Sequence, residues 1–345
     1  MCIRDSLKTC DLSSWAMHDV IFVLTIVGFC AAAVLLAVAI VSGIFSLRPE
    51  TVSQAKTLCR TVRKRWVTYL IVFLSLGSLA LFTYYPGFSS LFISFFEYTK
   101  ERPTFQWNNF ANYAAVFTNP YVGVYFRNLV IFLVSDILLT LLPPIIFAVC
   151  LVFIRSKRFS TVCRILLYIP GIIPSIAATL IWTNGIYGLD GLLNAIIVAC
   201  GGQKTVFLQQ ENMSVFWILM MGFPFVGSYL IFYGGLMNVP TSYYEAAELD
   251  GCGVWKRIFL IDVPLITPQI KYVFVMSFIS SVQNFTRVRL TTDGLYGSQV
   301  IMNVLYNYLS EGEYGISSAY GAIMFVILMI ATLINLRLKT VDAEG

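Results

Sequence analysis

Two groups of side chains stand where they could bind something. Ser280, Ser281, Gln283, Asn284 and Phe285 lie within an otherwise apolar run. Hydroxyls and amides beside an aromatic ring offer donors and acceptors to other hydroxyls, and a flat face to stack on. That is the chemistry by which a sugar is held. Gly222-Phe223-Pro224-Phe225, with Ser228, interrupts a second apolar run. Proline there frees a backbone carbonyl, and glycine lets another group come close. Polar atoms at bilayer depth are costly and tend to face a bundle interior. Both groups therefore mark a path between spans. The competing reading is hydrogen bonding between helices, which small polar residues also do.

Covalent chemistry has little to work with. His18 is the only histidine, so a Ser-His-Asp or Cys-His mechanism is not expected. The eight cysteines are scattered, with no Cys-x-x-Cys, and imply neither a disulfide framework nor a metal site. No phosphate-binding Gly-x-x-x-x-Gly-Lys-Ser/Thr loop is present; Gly201-Gly202-Gln203-Lys204-Thr205 lacks that spacing. We therefore expect no catalytic residue, no metal ligand and no ATP hydrolysis in this chain.

The elements that position these groups are membrane spans. The 345 residues are 58% hydrophobic and 12% charged, too apolar for a soluble domain. Apolar runs occupy 20–47, 67–96, 128–154, 165–182, 215–237, 270–285 and 319–336. Several exceed the roughly 18 residues that mark a transmembrane candidate. Basic residues cluster after the first run (Arg48, Lys56, Arg60, Arg63, Lys64, Arg65) and after the third (Arg155, Lys157, Arg158, Arg164). With these segments and Lys256, Arg257, Lys271, Arg337 and Lys339 inside, most of the 23 lysines and arginines are cytoplasmic. The positive-inside rule then sets the N-terminus outside and the C-terminus inside. In so apolar a chain the net charge of +5 is no sign of nucleic-acid binding, and its placement matters more than its size.

On the same inner side falls the chain's most patterned polar stretch, 243–268, YYEAAELDGCGVWKRIFLIDVPLITP. Pro240 ends the run before it. Ser242 followed by Glu245 reads as a capping box, with Glu245 free to cap or to make contacts. Ala246, Ala247, Glu248 and Leu249 favour helix, and Gly251 suits a left-handed stop. A second amphipathic piece runs from Val254 to a close at Pro264 and Pro268.

Glu245-Ala246-Ala247, then Gly251, Ile261 and Val263-Pro264, resembles the "EAA" loop of ABC importer permeases. Tyr244, Asp250 and Trp255 resemble the carbohydrate branch, the maltose and glycerol-phosphate type. Tyr85-Pro86, Asn109-Phe110 with Tyr113, Arg127-Asn128-Leu129, Gly188-Leu189, Leu193-Asn194 and Tyr314-Gly315 extend the likeness over most of 66–337. Departures are Val263 for leucine, Cys252 for alanine, and Thr292-Asp293-Gly294-Leu295-Tyr296 in place of Thr-x-Gly-Gly-Pro.

The resemblance implies an all-α integral membrane protein: a six-helix type I importer core at 66–337, with a cytoplasmic loop at 241–268 and a tail at 338–345. The run within 20–65 is an appended span and linker, with no counterpart in that core. Residues 1–19 are polar, and the opening Met1–Ser6 reads as a sequence-assembly scar. The implied function is the permease subunit of an ATP-driven, binding-protein-dependent importer for a sugar, oligosaccharide or polyol phosphate, in a bacterial inner membrane. Implied partners are a second permease, an ATPase dimer carrying ATP and Mg, an extracytoplasmic solute-binding protein and the bilayer. Tyr244, Glu245, Ala246, Ala247, Asp250, Gly251, Trp255, Ile261 and Pro264 would form the ATPase-coupling loop, with Leu249 packing beside them. Met221, Gly222, Phe225, Ser281 and Asn284 match positions that hold the ligand in maltose-type relatives; Ile218 replaces a family asparagine. Ser228, Gln283 and Phe285 complete the expected path. Asp136, the one acid deep in a span, is expected to face the other permease half or a water-filled cavity. Alternatives are an ion-coupled secondary transporter using Asp136 as a relay, or an ABC permease for amino acids or peptides.

Overall fold

A computed structural model describes residues 64, 66–211 and 213–337, in two compact units divided after Phe110. The expected first span and the tail lie outside the described residues. In the first unit, helix α1 (Trp66–Leu79) passes through a π turn (Ala80–Tyr84) into α2 (Tyr85–Ile93). Pro86 lies just past the π turn, inside the continuous helical stretch Leu70–Ile93, and has no N–H to give to the ladder there. A short ribbon follows, β1 (Phe96–Glu97) antiparallel to β2 (Gln106–Trp107). Aromatic stacking ties it, with Phe95 on Trp107 and Tyr98 on Phe105, centroids 5.9 and 4.7 Å apart.

The second unit is built on a spine. After α3 (Ala111–Thr118) comes α4 (Val122–Phe153), 32 residues long, or about 48 Å at 1.5 Å per residue. Next come α5 (Lys157–Ile172) and α6 (Ser175–Leu180), the latter continuing as a π turn to Ile186; the pair bends by 90° at the intervening Pro174. Then follow α7 (Leu192–Ala199), α8 (Ser214–Met220), α9 (Tyr229–Met237) and α10 (Thr241–Leu249). An elbow follows: α11 (Val254–Arg257), a π turn (Ile258–Asp262) and α12 (Val263–Leu265). It bends by 66° into α13 (Thr267–Gln283). Last are α14 (Thr286–Thr291), α15 (Ile301–Glu311) and α16 (Tyr314–Arg337).

By length and composition, three described helical stretches could cross a membrane alone: Leu70–Ile93, Val122–Phe153 and Tyr314–Leu333. Counting each bent pair as one span gives five. The expected fifth run, 215–237, is not one helix. It breaks between α8 and α9, where Gly222 and Phe225 hold φ of 103° and 61° around a cis Phe223–Pro224 bond. The polar stretch between the sixth and seventh runs is likewise no plain loop, since it contains α14 and α15.

Apolar packing centres on α4. Ala148 and Val149 meet Phe232 and Leu236 of α9 and Val273 of α13 in one core. Leu129 and Tyr125 join Val282, Ile301 and Tyr320 in another. Asn128, fully buried, locks the spine to the segment between α14 and α15: its amide donates to the carbonyls of Gly297 and Gln299 at 2.7 and 2.8 Å. Asn194, also fully buried, closes the α7 region. Its amide donates to Gly188 and Thr205 carbonyls, and its oxygen accepts from the Thr205 N–H. In both cases a side-chain amide supplies bonds that irregular backbone cannot make to itself.

Candidate functional site: a cavity joined to an exposed elbow

The broken stretch between α8 and α9 and the α13–α14 junction face one another across a cavity of about 620 Å³. Its wall includes Met221, Phe225, Ser228, Ser281 and Asn284. A second cavity of about 450 Å³ shares Met221, Ser280, Asn284 and Arg287, and adds Gly222, Gln283 and Trp182. Seven of the eight residues expected on the path thus line one cavity or the other. Phe285 lines neither; it stacks on Tyr306 of α15, centroids 5.2 Å apart. Ile218 is fully buried in a core cluster and does not reach the cavity walls.

Ser228 has a defined partner. Pro144 lacks the N–H that would bond the Thr140 carbonyl one turn earlier in α4. The Ser228 hydroxyl donates to that carbonyl at 2.7 Å. Its first task is therefore to satisfy an acceptor orphaned by proline, which also pins the start of α9 to the spine. Ser281 differs: it is 6% exposed, and its Oγ has no hydrogen-bond partner among the described residues. Asn284 follows the end of α13 with extended backbone, between two helices.

Of the two surroundings expected for Asp136, the structure has the cavity, whose wall it lines, and its partner is within the chain rather than on another permease half. Arg287, 151 residues away, donates through Nη2 to both carboxylate oxygens at 2.7 Å. The guanidinium also lies over the Phe132 ring, 5.8 Å from its centroid. Sequence reading missed Arg287, because it sits past a helix end in what looked like loop. An arginine close after a polar cluster such as 280–285 was the available signal.

At the other end of α13 lies the elbow. Helix α10 begins at Thr241, behind Pro240 at the N-cap, with no side-chain cap bond. The expected Ser242–Glu245 capping box is thus not formed, because Ser242 is already inside the first turn. The C-terminus does close as expected. Gly251 has φ +65°, its N–H donates to the Glu248 carbonyl at 3.1 Å, and the Cys252 N–H donates to Ala247 at 2.8 Å. That pair of bonds is a Schellman motif. Pro264 does not end the second piece, which runs on to Leu265, and Pro268 opens α13 rather than closing the elbow.

Beneath the elbow is a cluster that sequence reading did not assemble. Arg257 lies 3.9 Å above the centroid of the Tyr244 ring and 4.8 Å from that of Phe153. Its Nε is 3.4 Å from the Asp262 carboxylate, close enough for attraction though not aligned as a hydrogen bond. Asp262 is 1% exposed. Burial first, and then the Asp262 charge, push the Tyr244 phenol above its ordinary pKa. Ala247 and Ile266 are buried nearby. Glu245, Ala246 and Asp250 are exposed, and Ile261 is half-buried. The end of α10 and the elbow present apolar side chains to their surroundings: Leu249 at 89% exposure and Trp255 at 75%, with Phe259 and Leu260 also exposed.

Comparison with known proteins gives a consistent result. Residues 137–339 match the family described as binding-protein-dependent transport system inner membrane component. Over 264 residues the chain is 32% identical to the probable ABC transporter permease protein YesP of Bacillus subtilis (strain 168), covering 73% of this chain and 84% of that protein. It is 26% identical over 296 residues to the lactose transport system permease protein LacF of Rhizobium radiobacter, covering 80% of this chain and 95% of that one. Its fold is similar to a chain of a bacterial ABC transporter involved in the import of the acidic polysaccharide alginate. The TM-score is 0.70 at 19% identity, over 82% of this chain and 99% of the other.

Proposed function

Because this chain belongs to the family of binding-protein-dependent transport inner membrane components, we propose that it is one permease half of an ATP-driven importer for a sugar, oligosaccharide or related polyol phosphate. The observation that carries the reading is the course of α13. One end leaves the exposed elbow through a 66° bend. The other end holds Ser281 and Asn284 at the cavity. A displacement of the elbow by a docked partner is therefore passed along a single helix of 17 residues to the groups that face a solute. Packed elements with two arrangements are how such displacements are transmitted.

On this reading a separate ATPase dimer holds ATP and Mg and seats against Leu249, Trp255 and the carboxylates of Glu245 and Asp250. A second permease closes the path, and a solute-binding protein delivers from outside. The elbow and C-terminus are cytoplasmic, as the basic segments favour, and residues 66–337 form the six-span core. Relatives named for lactose and arabinooligosaccharide transport support the carbohydrate class. The Asp136–Arg287 pair argues against an Asp136 proton relay, since the carboxylate is held by two short bonds to a permanent cation.

Uptake energetics test this. In cells fermenting to maintain ATP, import of labelled oligosaccharide should survive a protonophore and stop when arsenate depletes ATP. Uptake that stops with the protonophore and persists through ATP depletion points to an ion-coupled carrier and overturns the proposal.

A further inference from the structure

Charge balance in the cavity walls narrows the substrate. Across both linings the charged side chains are Asp136 and Arg287, one of each sign and joined to one another. Both bonds to Asp136 leave from Nη2. The guanidinium's Nη1 and Nε have no hydrogen bond among the described residues, and Arg287 lines both cavities. The wall therefore offers a fixed fork of N–H donors whose charge is already neutralised. On the same wall are the Asn284 amide and the buried Ser281 hydroxyl, which has no partner among the described residues. Phe225 in one cavity and Trp182 in the other provide aromatic faces.

We propose that this path selects uncharged glycans, and that Arg287, clamped by Asp136, is a specificity-determining residue that reads their hydroxyl groups. A sugar hydroxyl accepts from the free N–H groups without needing a counter-charge. Its own proton is available to the amide or serine oxygen. A uronate or phosphate brings a negative charge that these walls do not neutralise, close to the Asp136 carboxylate. Burying a charge without a partner is strongly unfavourable. The stacked, carboxylate-held guanidinium is also pre-organised, so little rotamer freedom is lost on binding. This inference rests on the carbohydrate reading above and excludes the polyol phosphates within it.

The test uses the whole importer in cells, with its own permease, ATPase and binding-protein partners. Uptake is measured for a panel of labelled neutral tri- and tetrasaccharides, their uronate counterparts and a sugar phosphate. The neutral solute transported best should exceed every anionic one by about 100-fold or more. A uronate or phosphate imported as fast as the best neutral sugar overturns the proposal. Uptake of no carbohydrate in the panel overturns the carbohydrate reading instead. Asp136→Asn supplies the second arm, with the amount in the membrane checked by immunoblot. It leaves Arg287 positive, so the ratio of anionic to neutral uptake should rise at least about tenfold, whereas a merely structural pair would lower both alike and leave the ratio unchanged. An unchanged ratio overturns the assignment. The wild-type panel decides the matter even if the variant does not accumulate.

Discussion

Replacing Arg257 with alanine should abolish uptake while the chain still reaches the membrane. The arginine lies between the rings of Tyr244 and Phe153 and beside the carboxylate of Asp262. It therefore joins α10, the elbow and the spine at one point. Asp262 is almost wholly buried, and truncating its partner strands a negative charge there. Breaking a buried pair in this way costs about 3–5 kcal/mol. That loss falls on the elbow, so the coupling surface should loosen while the apolar cores around α4 persist. The check is uptake and ATPase co-purification from membranes with normal amounts of the variant. Asp262→Asn combined with Arg257→Ala removes the stranded charge and should recover part of the co-purification. If the single variant imports normally, Arg257 does not hold the elbow in shape.

The second large effect is expected at Gly251. Its φ of +65° lies in the left-handed region, and its N–H donates to Glu248. Proline is confined to φ near −65° and has no N–H. Gly251→Pro therefore cannot adopt this backbone, and it deletes one bond of the Schellman motif. Space is not the obstacle, since a Cβ at this position would meet nothing within 4 Å. Gly251→Ala should accordingly cost only the left-handed penalty of about 1–2 kcal/mol. The expected order in uptake assays is wild type, then alanine with partial activity, then proline with none. Equal activity of the alanine and proline variants would contradict a role for the bend.

What was legible in the sequence followed from local rules. Apolar runs gave the spans, because length and hydropathy need no tertiary context. Gly251 gave the helix stop, because few residues tolerate its conformation. The polar residues at 280–285 and the Gly-Phe-Pro-Phe interruption gave part of the cavity wall, because polar groups within a span must face something. Other features depended on residues distant in the chain. Nothing in the neighbourhood of Ser228 says that its hydroxyl serves the carbonyl orphaned by Pro144. Asp136 and Arg287 lie on different helices, and their pairing follows from packing alone. The capping box failed because the N-cap falls at Pro240, two residues before Ser242, which is already inside the first turn. Arg257 looked like one charge of an amphipathic piece until the fold brought Tyr244, Phe153 and Asp262 around it.

Coupling requires that the elbow touch a nucleotide-hydrolysing subunit inside the cell. A photo-crosslinking amino acid in place of Trp255, which is three-quarters exposed, measures this in intact cells. Irradiation should yield one prominent adduct, this chain joined to an ATPase subunit, and Gly251→Pro should remove it. Adducts with lipid or an extracytoplasmic protein alone, in cells that import normally, would contradict the account.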